Sequence, residues 1–381
     1  MPTKRKKREK PKFWQEGKLD LGFLILVLVL MLVGLIMLYS ASYAYSYTYY
    51  QNSYRFISRQ AGFALVGVGF MLVASRINYH VYKKLALPIY VGTAILLVFL
   101  LIMPPMVSGM DVKRWFVVGP INFQPSEFAK FSIIVLFSAW ISSNPGKIKK
   151  FRYIAWLLGL LAVMCLLVVL EPHLSATLLI FAIGIILMIV GGLPMKWLGV
   201  GAGIGVGGGA LAILSGAVGY GSDRIKYWLD PWSDPKGLGY QTIQSLLAIG
   251  SGGLLGRGIG QSRQKYLWVP EPHNDFIFAI VCEELGIIGA IAIILLFCAL
   301  IWRGFTIAMR AKDQFGTLLA VGLTFQVGLQ ALLNILVVTN TIPNTGISLP
   351  FFSYGGTALI ILLTEMGIIL SVSRASSIEK A

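Results

Sequence analysis

The chain has 381 residues, 56% of them hydrophobic and 13% charged, with a formal net charge of +16. That much apolar surface excludes a soluble globular domain, and several uncharged runs exceed the ~18 residues that mark a membrane-spanning helix. The positive balance reads as cations on loops that resist translocation, so no nucleic-acid partner is expected. Cys165, Cys282 and Cys298 lie inside apolar segments without metal-type spacing, which gives neither a disulfide framework nor a zinc site.

In chain order, residues 1–20 form a basic N-terminal arm beginning MPTKRKKREKPK, with no small-residue cleavage site after the run that follows it. It reads as the cytoplasmic flank of an uncleaved signal anchor. The arm also suits anionic lipid heads, although orientation alone explains it equally well. Apolar runs then predict an all-α polytopic membrane domain over 21–373 with about ten transmembrane helices. They fall at 21–42, 56–75, 85–103, 125–141, 153–170, 174–190, 194–214, 275–302, 316–338 and 356–372, and residues 374–381 form a cytoplasmic tail. With the N-terminus inside, the inner loops hold Arg76, Lys83, Lys84, Lys147, Lys149, Lys150, Arg152, Lys196, Arg303, Arg310, Lys312, Arg374 and Lys380, whereas the short outer loops 43–55 and 339–355 hold only Arg55. That alternation follows the positive-inside rule and requires an even number of spans.

Two outer loops depart from it. Residues 105–124 carry Asp111, Lys113, Arg114 and Trp115. The long extracellular loop 215–274, between helices 7 and 8, mixes Arg224, Lys226, Lys236, Arg257, Arg263 and Lys265 with acids and with the interfacial aromatics Tyr227, Trp228, Trp232, Tyr240, Tyr266 and Trp268. A loop this long is functional or disordered, and the aromatics argue for order. Within it, YQTIQSLLAI has amphipathic helical spacing and the glycine-rich SGGLLGRGIG follows, predicting a half-buried helix and a tight loop at the outer membrane face. Glycines from Gly199 to Gly209 smooth the seventh span for close helix packing or a lipid groove.

The stretch KYLWVPEPHNDFIFAIVCEELG concentrates the acids. Asn274 and Asp275 open the eighth span, where they can cap its N-terminus or leave Asp275 ionised near the positive helix end, able to take a proton from a sugar hydroxyl. Glu283 and Glu284 lie ~12–13 Å deeper and ~80° and ~180° from Asp275 on a helical wheel. Glu283 is thus the better placed to share a cavity with Asp275, and a structural pairing is its alternative. Gln124-Pro125-Ser126-Glu127 opens the fourth span, and Lys130 can pair with Glu127 at i, i+3. Glu171-Pro172-His173 turns between spans five and six, either as a solvated turn or as part of a site. Gln326, Gln330 and Asn334 form a polar stripe suited to helix–helix hydrogen bonds, and the uncharged loop NTIPNTGISLPFFSYGGT can re-enter the membrane to line a cavity. The sum is an outward-facing cleft rimmed by Arg114, Arg257, Arg263 and Lys265 with acids at its base, suited to an amphiphile with an anionic head such as a lipid diphosphate.

Four ordered motifs, GLIMLYSAS, KRWFVVGPINFQPSEFAK, PEPHNDFIFAIVCEELG and NTGISLPFFSYGGT, make nearly the whole chain resemble the SEDS family of bacterial membrane glycosyltransferases, with wording nearer its division-type (FtsW) and sporulation-type members than its RodA branch. The resemblance implies polymerisation of lipid II into glycan strands on the outer face of the bacterial cytoplasmic membrane, with both termini cytoplasmic. Asp275 matches the family's essential Asp, which would act on the GlcNAc 4-hydroxyl of the acceptor, with inversion and expulsion of undecaprenyl diphosphate. Arg114 and Lys130 match family motifs. The substrate-binding set carried forward is Arg114, Trp115, Glu127, Lys130, Glu171, Arg257, Lys265, His273 and Ser353, with no protein-held metal. A diphosphate substrate makes Mg²⁺ or Mn²⁺ plausible, and the implied partners are a class B penicillin-binding protein and other divisome membrane proteins. Where many members have Glu-Pro-Asp-Leu-Gly-Thr, this chain has Glu171-Pro172-His173-Leu174-Ser175-Ala176-Thr177, so a second acid at position 173 is missing. A lipid II flippase and a scaffold without chemistry are the competing readings.

Overall fold

A computed structural model of the protein describes residues 13–103, 114–118, 121–171, 173–194, 197, 226–237 and 239–376. Its main helices are α1 (Leu21–Tyr50), α2 (Arg55–Arg76), α3 (His80–Ile102), α4 (Pro125–Ser143), α5 (Phe151–Val169), α6 (Leu174–Val190), α7 (Tyr240–Gly252), α8 (Ile277–Met309), α9 (Gln314–Val338) and α10 (Gly356–Ala375). Nine of the ten expected spans are thus helical. The seventh, 194–214, with its glycine stripe, falls almost wholly outside the described residues, as do Asp111, Lys113, Arg224 and most of the two tails. Among the described residues seven helices, α1, α2, α3, α5, α8, α9 and α10, are long and apolar enough to cross a membrane. They turn side chains such as Leu65, Ile102 and Leu295 outward, as lipid-facing surfaces do.

The first span is longer than expected. α1 runs two turns beyond Ser42 through YAYSYTYY, because tyrosines keep their hydroxyls wet while their rings stay at the membrane boundary, and Gln51 ends it in the left-handed region at φ 54°. The all-α expectation also needs one addition, an antiparallel hairpin of β1 (Phe116–Val118) and β2 (Ile121–Phe123) ahead of α4.

α4 is the hub of the bundle, packed against α3, α6 and α9 and buried along most of its length, Lys130 included. At one end of the bundle Asp20 caps α1 by accepting from the Phe23 N–H at 2.9 Å and pairs with Arg303 of α8 at 2.9 Å. At that same end His80 of α3 meets Asp313, the N-cap of α9, at 2.6 Å. Residues 339–355, the β-hairpin and the turn after α5 lie at the other end.

α8 is interrupted. Gly286 sits at φ 68°, ψ −171°, a glycine-only conformation, and divides the helix into 277–285 and 287–309. The freed carbonyls of Glu283 and Glu284 accept from the N–H groups of Arg257 and Gly258 at 3.0 and 2.9 Å. The N–H groups of Ile287 and Ile288 donate to Gly253 and Leu254 at 3.0 and 3.2 Å. The glycine-rich loop after α7 is therefore a plug fitted to a broken helix. A Cβ on Gly256 would stand 2.2 Å from the Glu284 carbonyl oxygen, and one on Gly286 2.3 Å from the Gly256 nitrogen.

Gly286→Ala is expected to cost more than about 2 kcal/mol, from strained backbone and a backbone clash. Gly92→Ala, whose added Cβ meets nothing within 4 Å, should be neutral or stabilising by up to about 1 kcal/mol. Thermal melting of the detergent-purified protein compares the two.

Candidate active site

The half-helix 277–285 begins at Ile277, and no side chain caps it. Asn274 turns back instead, donating from Nδ2 to the Glu271 carboxylate at 2.8 Å. The capping alternative for Asn274 and Asp275 therefore does not apply, and Asp275 precedes the helix rather than standing in its first turn. Two elements, α9 and the 339–355 loop, fix the backbone at 273–275. Asn334 of α9 donates to its carbonyl at 2.7 Å and to Ile347 at 2.6 Å. Ser353 donates from its hydroxyl to the Asn274 carbonyl at 2.9 Å and accepts the Leu349 N–H at 2.7 Å, and the Tyr354 N–H donates to His273 at 2.9 Å. Gly346, at φ 66°, lies so close that a Cβ would stand 3.1 Å from Asp275 Oδ2. The 339–355 loop does enter the bundle, since a Cβ on Gly34 in α1 would clash with the Phe351 carbonyl.

Asp275 is half-buried. Loss of water and the nearby Glu271 push its pKa up to about 6, against the opposing pull of the Arg114 guanidinium. That value is suited to a base working near neutral pH. Arg114 is central to the electrostatics here. Its Nε donates to the Glu171 carbonyl at 3.4 Å, and its charge also acts on Glu171 and His173. Glu171 is fully buried, not in a solvated turn, and burial raises it to about 8. Loss of water, with the Arg114 and Lys130 charges nearby, lowers the half-buried His173 to about 3, so it is neutral. Its Nδ1 stands 3.4 Å from both Gln124 Nε2 and Ser126 Oγ.

Below this group each residue of the α9 stripe makes a hydrogen bond within the protein. Lys130 pairs with Glu127 at 2.9 Å and donates to Gln330 Oε1 at 3.0 Å, while Gln326 donates to Glu365 at 2.9 Å. A lone lysine at that depth would cost about 2.5–3.5 kcal/mol on insertion scales, which these partners offset. Glu365 went unnoticed in the sequence, although an acid inside an otherwise apolar span was the signal that singled out Glu283 and Glu284. Glu271, four residues before Asp275, was also missed.

Glu283 does not share a cavity with Asp275. Its carboxylate accepts from Ser262 Oγ and from the N–H groups of Arg263 and Gln264 at 2.9 and 3.2 Å, with the Arg257 guanidinium 3.7 Å away. Glu284 accepts from Ser40 of α1 at 2.6 Å and pairs with Lys265 at 3.1 Å. Lys265 is thus no rim cation. It is buried, because the loop that carries it is drawn into the bundle by these two acids, and Arg257 is committed to the same knot. His273 is buried among Tyr45, Phe56 and Tyr354, which lowers it to about 4. Trp115 is half-buried beside Arg114. The structure accordingly draws Asp275, Arg114, Glu171 and His173 into one electrostatic group, with Glu127 and Lys130 beneath it. His273 and Ser353 become supports of the Asp275 loop, and Arg257 and Lys265 belong to the plug. Among the described residues no three His, Cys, Asp or Glu side chains converge to hold a metal ion.

Fold and site define a polytopic helical membrane protein whose charged centre is built by loops at one end of the bundle. The FtsW/RodA/SpoVE family model, described as "Cell cycle protein", matches residues 21–378. The chain is 39% identical over 331 residues to stage V sporulation protein E of Bacillus subtilis (strain 168), covering 86% of this chain and 89% of that relative. It is 37% identical over 329 residues to a probable peptidoglycan glycosyltransferase FtsW of Geobacter sp. (strain M18), covering 85% and 88%. Among solved structures, Thermus thermophilus rod shape determining protein RodA superposes with a TM-score of 0.70 at 26% identity, over 94% of this chain and 98% of that one. A chain from the structure described as "Structural coordination of polymerization and crosslinking by a peptidoglycan synthase complex" gives a TM-score of 0.76 at 28% identity, over 93% and 98%. The chain belongs to the FtsW/RodA/SpoVE family, and it is a membrane glycosyltransferase.

If the ionised form of Asp275 is the working form, the rate of glycosyl transfer falls as pH drops through about 6. Arg114→Gln removes the charge that favours ionisation and shifts this acid limb to higher pH. Glu271→Gln removes the charge that opposes it and shifts the limb lower. Initial rates from pH 5 to 8 read both signs.

Proposed function

We propose that the chain polymerises lipid II, moving a growing glycan from undecaprenyl diphosphate to the GlcNAc 4-hydroxyl of an incoming lipid II on the outer face of the cytoplasmic membrane, in division or sporulation septum synthesis. The observation that carries this reading is Asp275: a half-buried carboxylate, its backbone held by α9 and the 339–355 loop and its side chain not engaged in capping, with Arg114 acting on its charge. In the step, Asp275 takes the 4-hydroxyl proton as the oxygen attacks the donor's anomeric carbon. The new β-1,4 C–O bond forms as the bond from that carbon to the diphosphate oxygen breaks, with inversion. The diphosphate leaves with its electron pair, and the Arg114 guanidinium stabilises the growing charge. Trp115 flanks it, and Glu171 and His173, both neutral near pH 7, contribute hydrogen-bonding surface rather than charge. Lys130 and Glu127 keep the floor of the site polar. A Mg²⁺ or Mn²⁺ ion would arrive with the diphosphate, and no ligand residue is assigned to it.

The positive-inside pattern supports cytoplasmic termini and an outward site. The relative solved as part of a peptidoglycan synthase complex supports a class B penicillin-binding protein as partner, with other divisome membrane proteins around the pair. The stripe from Lys130 to Glu365 is the feature that favours lipid II transport. Its hydrogen bonds are made within the protein, however, which suits helix association better than a moving polar head.

Purified protein with its partner and labelled lipid II is expected to yield polymer, and Asp275→Asn at least ~100-fold less, with an unchanged melting temperature. Equal polymer from both removes Asp275 from the chemistry. Transbilayer movement of lipid II without polymer selects transport, and neither activity selects a scaffold.

A further inference from the structure

At the end of the bundle opposite Asp275 lies a cavity of about 590 Å³, lined by Trp14, Gln15, Val73, Arg76 and Arg374. It is a constructed feature. The strap before α1 pairs with the residue after α2 through an antiparallel Trp14–Ile77 bridge, with Gln15 N–H to Arg76 O at 2.6 Å and Asn78 N–H to Phe13 O at 2.8 Å. Arg374, in the last turn of α10, donates to the Gly17 carbonyl at 2.6 Å. Gly17 has φ 114° and packs so tightly on Arg374 that a Cβ would stand 2.3 Å from its carbonyl oxygen. Three separate segments therefore converge to put two guanidiniums in one groove.

Among the described residues neither charge has an acid paired with it. At this end Asp20 is committed to Arg303 and Asp313 to His80. Glu16, the acid of the strap, is exposed and has interactions of its own. Neither Arg76 nor Arg374 is in an ion pair among the described residues, and the Arg374 Nε–H has no acceptor there. Like charges gathered in one groove repel each other, so an anion is the ligand this groove would gain from binding. The surroundings add an apolar half. Trp14, Leu72 and Val73 are about half exposed at the end of a lipid-facing helix, and Trp is suited to the membrane–water boundary. An arm with seven Lys and Arg residues within 1–12 leads into the strap.

We infer that this groove is a binding site for the phosphate of an anionic membrane lipid, distinct from the polymerisation site and independent of the mechanism proposed for it. The two guanidiniums hold the phosphodiester, while Trp14, Leu72 and Val73 contact the start of its acyl chains. Occupancy would tie the strap, α2 and α10 together through the lipid head.

Native mass spectrometry of the full chain in detergent, titrated with phosphatidylglycerol or phosphatidylcholine, tests this site. Phosphatidylglycerol is expected to bind at one saturable site with at least about fivefold preference, the weight of a single interfacial cation. Arg76→Gln, a change at an exposed position, should remove that preference without altering the melting temperature. Arg310→Gln deletes one charge at the same end outside the groove, and should keep it. Equal phosphatidylglycerol binding by wild type and Arg76→Gln overturns the assignment, and so does an equal loss in Arg310→Gln, which would mark diffuse attraction. Inorganic phosphate separates the two sources of the anion. The lipid should remain bound at millimolar phosphate, and its full displacement there would identify a free-ion site and overturn the lipid assignment.

Discussion

An apolar medium offers no partner to a free backbone group, so a helix broken inside a membrane bundle must have its open N–H and C=O groups closed by protein. In this chain that constraint falls on Gly286. Four backbone hydrogen bonds from residues 253–258 close the break. The half-helix 277–285 then stands apart from the span that follows it, with Asp275 just before its first turn. The glycines at 252, 256 and 286 are required because the two backbones approach too closely for any Cβ. The plug is in turn anchored by Glu283 and Glu284, whose carboxylates collect Ser262, Arg263, Gln264, Lys265 and Ser40.

The acids of one short stretch thus separate by what surrounds them. Glu283 and Glu284 sit among N–H, hydroxyl and cationic donors that tie the plug to the half-helix. Asp275 receives the Asn334 amide at its backbone carbonyl, and its carboxylate is under the opposing charges of Glu271 and Arg114. The first environment fixes structure. The second leaves a carboxylate near the pH at which proton transfer is efficient. Glu171 marks the same end as a place where water is scarce, since burial alone keeps its carboxyl neutral at pH 7 against the pull of Arg114.

Much of this was legible in the residues. Long apolar runs locate nine helices, because bilayer thickness sets their length, although α1 and α8 run about two turns past their expected ends. The Glu127–Lys130 pair and the polar face of α9 follow from helical spacing. Partnerships between distant segments were not legible. Lys265 reads as a surface cation until Glu284 and Ser40, 19 and 225 residues away, are brought to it. The helical wheel misplaced Glu283 because it assumed a continuous helix from Asp275, whereas the chain turns through 271–276 before the half-helix begins. Tyrosine-rich residues 43–50 were left out of α1 because hydropathy falls where interfacial aromatics begin, although the helix continues.

The central claim is a position: the acceptor's reacting hydroxyl meets Asp275 in a site fixed by the 277–285 half-helix, α9 and the 339–355 loop. A structure of Asp275→Asn in complex with its partner and lipid II measures that position directly. The account predicts the GlcNAc 4-hydroxyl within about 2.6–3.2 Å of the residue 275 side chain, with the donor diphosphate against Arg114. An acceptor hydroxyl bound far from residue 275, with a different side chain in contact with it, would contradict it.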